Sequence, residues 1–137
     1  MKKIFFFNIF ILLIIMQIEI NYKPNQKQAI FHSCNAEEVV YGGAKGGGKS
    51  CALAMEALAY GLEYPTSEIY IFRKTADDLR TNIVKEFLKR FPNPQKEFYK
   101  YNENDNHIKL FNGTYIYFRH LANTKSAYEY NGRSIDF

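Results

Sequence analysis

Tryptophan is absent from this chain of 137 residues, proline occurs only four times and cysteine only twice. The aromatic content of 17% therefore rests on 11 Tyr and 12 Phe. With 47% hydrophobic and 23% charged residues, the composition excludes disorder as the default state. Cys34 and Cys51 have no metal-ligand spacing, and His32, His107 and His120 are scattered, so no metal site is indicated. Both cysteines read as free thiols, as is normal in a reducing compartment. Strong charge of one sign is missing too. Lys and Arg number 18 against 14 Asp and Glu, a formal +4, and the isoelectric point of about 9.0 is compatible with a polyanionic partner without demanding one. The sequence shows no internal repeat and no low-complexity tract apart from the polar turn at 102–106.

Nor does any apolar run reach the roughly 20 residues that a membrane-spanning helix needs. The longest, residues 4–16, is interrupted by Asn8 and follows Lys2 and Lys3. It resembles the n- and h-regions of a signal peptide, but no small-x-small cleavage pattern follows Met16. Residues 1–21 thus form a hydrophobic N-terminal extension with three open readings: a misassigned start or non-native addition, a hydrophobic helix or strand in use, or targeting and membrane attachment. None alters the reading beyond Asn21.

From Tyr22 onward short elements alternate. Pro24 and Asn25 open a predicted helix over 26–32, with Ala29, Ile30 and Phe31 as its apolar content. A predicted strand over 38–41 runs into Gly42 and Gly43. Ala52 to Ala59 continue as strong helix formers, which Gly61 and Pro65 are expected to stop. The continuous apolar run 69–72 reads as a parallel strand buried on both faces, so strand, helix and strand make one βαβ unit. The next helix is the best marked. Thr75 caps it, Asp77 and Asp78 occupy its first turn, Leu79, Ile83, Val84, Phe87 and Leu88 recur at helical spacing, and Pro92 and Pro94 end it. Residues 107–111 and 114–118 flank Asn112-Gly113, which predicts a tight type I′ hairpin with Ile108 and Leu110 beside Ile116 and Phe118.

Gly43-Ala44-Lys45-Gly46-Gly47-Gly48-Lys49-Ser50 fits the phosphate-loop pattern G-x-x-x-x-G-K-[ST] without a gap. Glycines let successive N–H groups curl around phosphate oxygens while the following helix turns its positive end to the same charge. Lys49 would reach the β- and γ-phosphates of ATP, and the Ser50 hydroxyl would bind Mg²⁺. A chance match in a chain of this length is about one in a few hundred. Gln28 offers the donor and acceptor that an adenine edge asks for, although a lone Gln is equally a solvated helix residue. Lys45 can lie beside a triphosphate or in solvent. Arg73 and Lys74 sit at the C-terminal end of a strand, the edge where open α/β sheets bind ligands, and can sense nucleotide, touch DNA or be solvated. Arg80, Lys85, Lys89 and Arg90 alternate with acids, which favours a solvated face over a DNA-tracking stripe. Tyr99, Tyr101, Tyr115 and Tyr117 are explained more simply by hairpin packing than by base stacking.

In this order, Lys23-Pro24-Asn25-Gln26-Lys27-Gln28, Tyr41-Gly42 with the loop, Ile71-Phe72-Arg73-Lys74-Thr75, Leu110-Phe111-Asn112-Gly113-Thr114 and Tyr130-Asn131-Gly132 resemble the N-terminal ATPase region of bacteriophage terminase large subunits. The likeness covers residues 22–137. It implies an α/β P-loop NTPase with a largely parallel central sheet, incomplete at its C-terminal side, plus a β-hairpin. It also implies an ATP- and Mg²⁺-dependent motor that drives viral DNA into a prohead, with a separate nuclease domain. Carried over by position, Gln28 matches the adenine-reading glutamine, Lys49 and Ser50 the phosphate and Mg²⁺ residues, and Lys45 the basic loop residue, often Arg in relatives; Lys lacks the planar fork of Arg. The implied partners are double-stranded viral DNA, the terminase small subunit, the portal and further copies in a ring, and the implied location is the host cytoplasm. Relatives continue into an apolar strand closed by catalytic acids. Ser134, Ile135, Asp136 and Phe137 read as its entry, so this polypeptide alone is expected to bind nucleotide and scarcely to hydrolyse it. The alternatives are another P-loop ATPase such as a helicase-like motor, or a membrane-attached non-catalytic module.

Overall fold

The computed structural model describes residues 19–91 and 97–137. The apolar run at 4–16 and the helix stop at Pro92 and Pro94 lie outside these residues. No helix among the described residues is long and apolar enough to cross a membrane.

The first helix, α1 (Gln26–Ser33), starts because Asn25 caps it reciprocally. The Gln28 N–H donates to Asn25 Oδ1 at 3.0 Å, and the Asn25 N–H donates to Gln28 Oε1 at 2.9 Å. Its inward face is polar: Gln28 and His32, one turn apart, are buried, whereas Ile30 is exposed. The glycine loop then leads into α2 (Lys49–Glu63), whose Cys51, Ala54, Met55, Ala57, Leu58 and Leu62 enter the core.

The following strand, β1 (Glu68–Arg73), buries Ile69, Tyr70 and Ile71. A helical stretch over 76–89, here α3, opens on the Thr75 cap, where Thr75 Oγ1 accepts from the Asp78 N–H at 3.1 Å. It is α-helical over Ala76–Asp78, π-helical over Leu79–Val84 and α-helical again over Lys85–Lys89. Leu79, Ile83 and Phe87 keep one face against the sheet throughout. Three further strands are β2 (Tyr99–Asn102), β3 (His107–Leu110) and β4 (Tyr115–His120), and a short α4 (Thr124–Tyr128) capped by Asn123 follows.

The sheet order is β1-β4-β3-β2, with β1 and β4 parallel and both other pairs antiparallel. The expected largely parallel sheet is therefore corrected to a mixed one. The connections explain it: turns of a few residues can join only antiparallel neighbours, and only the β1-to-β4 passage contains a helix. The hairpin lies where the sequence puts it, and Ile108 pairs with Ile116. Its loop, however, has only Gly113 at positive φ (85°), with the Gly113 N–H donating to the Leu110 carbonyl. That is the three-residue loop ending in a left-handed glycine, in place of the expected type I′ turn.

The strand expected over 38–41 does not form; these residues are irregular and Val40 is 98% exposed. Both edges of β1 are occupied. β4 lies on one side, and on the other the Asp136 N–H donates to the Glu68 carbonyl while the Tyr70 N–H donates to the Phe137 carbonyl. Residues 38–41 thus have no edge of β1 to ladder onto. The segment read as the entry to a further strand does run along β1.

Gly61 does not stop α2, which continues to Glu63. The glycine serves close packing: a Cβ there would lie 2.8 Å from Thr114 Cγ2 and 3.1 Å from Ile69 Cδ1. The Gly61 carbonyl also accepts from Thr114 Oγ1 at 3.0 Å and Asn112 Nδ2 at 2.7 Å. These side chains satisfy a carbonyl near the helix C-terminus, where intrahelical partners run out. Gly61→Ala should destabilise the protein by about 1–3 kcal/mol through overpacking, although Ala is the better helix former by about 1 kcal/mol. A lower urea midpoint at unchanged slope would bear this out; a raised midpoint would show that helix and sheet do not approach so closely.

Candidate functional site

Three glycines of the loop have positive φ: Gly43 at 146°, Gly46 at 87° and Gly48 at 75°. Gly48 is the N-cap of α2, and no side chain caps that end. The first-turn N–H groups of a 15-residue helix therefore face outward beside Lys49 and Ser50, an arrangement suited to an anion.

The loop is held from three sides. Gln28 Nε2 donates to the Gly48 carbonyl at 2.9 Å. Lys49 Nζ turns back to donate to the carbonyls of Gly43 at 2.8 Å and Ala44 at 2.7 Å. Arg73 Nη2 donates to Ser50 Oγ at 2.7 Å. A Cβ on Gly48 would come within 2.5 Å of Gln28 Nε2, so the left-handed backbone and the approach of Gln28 both require glycine there.

One cleft of about 680 Å³ gathers Gln28, Lys45, Gly46, Gly47, Gly48, Lys49 and Ser50. Gly43 and Ala44 do not line it; they contribute the carbonyls that hold Lys49. Sequence reasoning missed the rest of the lining, to which Tyr22, the α3 residues Asp78, Asn82 and Glu86, and the α3 C-cap Arg90 contribute. It also missed the partnership of Arg73 with Ser50, because two residues 23 positions apart carry no shared pattern. A further unpredicted feature is a hydrogen-bonded chain beneath α1. The Tyr22 hydroxyl lies 2.7 Å from His32 Nε2, and His32 Nδ1 lies 2.5 Å from Glu56 Oε2 on α2. Its only sequence signal is the spacing of Gln28 and His32 on one helix face.

Burial raises the pKa of the Tyr22 hydroxyl, so it stays protonated and can bond to His32. Burial likewise pushes the Cys51 thiol up, with the nearby Arg90 charge opposing the shift. Among the described residues no group of three or more His, Cys, Asp or Glu side chains could hold a metal ion.

The family model described as terminase large subunit, T4likevirus-type, N-terminal, matches residues 40–137. The match takes in the loop, α2 and the whole sheet, and begins after Gln28. No curated protein and no solved structure matches.

The loop geometry yields a stability test. Gly48→Ala should cost about 1–3 kcal/mol, from left-handed strain and displacement of Gln28. Chemical denaturation measures it, and a neutral substitution would mean that Gln28 does not clasp the loop.

Proposed function

The chain belongs to the terminase large-subunit family of T4-like-virus type, whose N-terminal region it carries, and on that premise we propose that it is the nucleotide-binding part of the ATP-driven viral DNA-packaging motor. The observation that carries the reading is the seating of Lys49 and Ser50 in the first turn of α2, behind a glycine N-cap that leaves the helix N–H groups open. A triphosphate is the ligand whose charge and oxygen count suit such an end.

Each element of the site fits that ligand. Lys49 exchanges two neutral carbonyl partners for charged phosphate oxygens, a gain because charge-assisted hydrogen bonds are the stronger kind. Ser50 would hold Mg²⁺ through its hydroxyl, and the ion would supply positive charge against the phosphates. Lys45, exposed beside the cleft, adds a cation without the bidentate geometry of Arg. Gln28 keeps a second N–H hydrogen and a second lone pair beyond its bonds to Gly48 and Asn25, and these read the adenine edge. Backbone and helix dipole bind, orient and partly desolvate the phosphates.

The architecture is read as part of a P-loop NTPase domain. Asp136 and Phe137, which bond to the free edge of β1, would take the place of its next strand. Coupling of ATP hydrolysis to translocation, and partnership with double-stranded DNA, small subunit, portal and neighbouring copies in a ring in the host cytoplasm, complete the proposal.

Removing the ammonium group tests it. Lys49→Ala should weaken Mg-ATP binding to the full chain by about 10–100-fold, the equivalent of one or two charge-assisted hydrogen bonds. Titration calorimetry reads the change; equal affinities in wild type and variant would remove the loop from the nucleotide site.

A further inference from the structure

Arg73 belongs to the same site, and the bond it makes there conflicts with the role proposed for Ser50. Its Nη2 donates to Ser50 Oγ at 2.7 Å. The oxygen has a second lone pair, so valence alone would let it accept from Arg73 and bind Mg²⁺ together. Electrostatics forbids the combination. A magnesium ion sits about 2.1 Å from its oxygen ligands, which would put two positive charges within about 4 Å of the Arg73 guanidinium.

The Arg73 backbone is fixed. It pairs with His120 at the end of β1, and its carbonyl accepts from the Leu121 N–H at 2.8 Å. Only the side chain is free to yield. It also carries an unused donor: Arg73 Nε is buried with no hydrogen-bond partner among the described residues. A planar fork with a spare donor suits phosphate oxygens, which it can engage through two parallel hydrogen bonds.

The approach direction indicates which phosphate. Arg73 does not line the cleft that holds Gln28; it lines a second cavity of about 460 Å³, with Tyr41, Leu53 and Glu56 among its walls. Lys49 lines both. A nucleotide with its base at Gln28 and its phosphates on Lys49 turns its last phosphate toward Arg73.

We infer that Arg73 is the residue that distinguishes a triphosphate from a diphosphate, passing from the Ser50 hydroxyl to the terminal phosphate when Mg²⁺ takes that hydroxyl. The inference rests on the nucleotide reading of the site. It makes Ser50 an exchange point between a side-chain cation and a metal ion, so that the end of β1 responds to the length of the phosphate chain.

The experiment uses the full chain, with Arg73→Ala and Arg73→Lys, and titrates the β,γ-imido analogue of ATP and, separately, ADP at several Mg²⁺ concentrations by calorimetry. Wild type should prefer the triphosphate by tenfold or more. Arg73→Ala should lose about tenfold of that preference while holding ADP at least as tightly as wild type, and should need less Mg²⁺ for half-saturation. Retained ADP binding also shows that the variant is folded; should Arg73→Ala not fold, Arg73→Lys, which keeps the charge without the fork, should show a smaller loss in the same direction. An unchanged preference in the variants overturns the inference while leaving the nucleotide site standing. A Mg²⁺ effect without loss of preference overturns it as well, because Arg73 would then only compete for Ser50. Failure of wild type to bind either nucleotide overturns the proposed function and this inference with it.

Discussion

The carbonyl of Gly61 ties the helical layer to the sheet. It accepts hydrogen bonds from Thr114 and Asn112, which belong to the connection between β3 and β4, and it can do so because no Cβ holds α2 away. Once that end of the helix is seated, the rest of its buried face follows. Ala54, Ala57 and Leu58 descend onto Ile69, Ile71 and Ile116 within one core cluster. The small residues on α2 allow a short helix-to-sheet distance, and interiors packed at crystal-like density transmit such a constraint along the whole element. The other end of α2 is thereby fixed too, and with it the glycine loop.

At that end polar contacts take over from apolar packing. Most short helices turn an apolar stripe inward, yet α1 presents Gln28 and His32, each of which finds a partner on α2 or its cap. Burying such groups is tolerable only because they are bonded. The result is a loop gripped by Gln28 at Gly48, by Lys49 at its own carbonyls and by Arg73 at Ser50. All three gripping groups can also serve a nucleotide. A site of this kind is preorganised in position while its cations remain exchangeable.

Much of this was legible in the sequence where local chemistry decides the outcome. The caps at Asn25 and Thr75, the helical spacing of Leu79, Ile83 and Phe87, the apolar run of β1 and the Asn-Gly hairpin are all encoded within a few residues of where they act. What escaped depends on contacts between distant segments. The 38–41 stretch has the composition of a strand, but a strand needs an open edge, and β1 offers none. β2 was read only as hairpin tyrosines and a polar turn, because its pairing with β3 follows from register. Gly61 looks like a helix stop until Thr114 is brought against it. The site divides in the same way: the loop residues form a contiguous motif, whereas Tyr22, Asn82 and Arg90 reach the cleft only through tertiary packing.

The central claim is that the open end of α2 holds the phosphates of a nucleotide. Backbone amide resonances of residues 46–50, followed by NMR while Mg-ATP is added to the full chain, test it most directly. The account predicts saturable, concerted shifts of Gly46 to Ser50, larger than those of sheet residues such as Ile108 and Ile116. Shifts confined to another surface, or none at ligand concentrations well above the millimolar range, would contradict it.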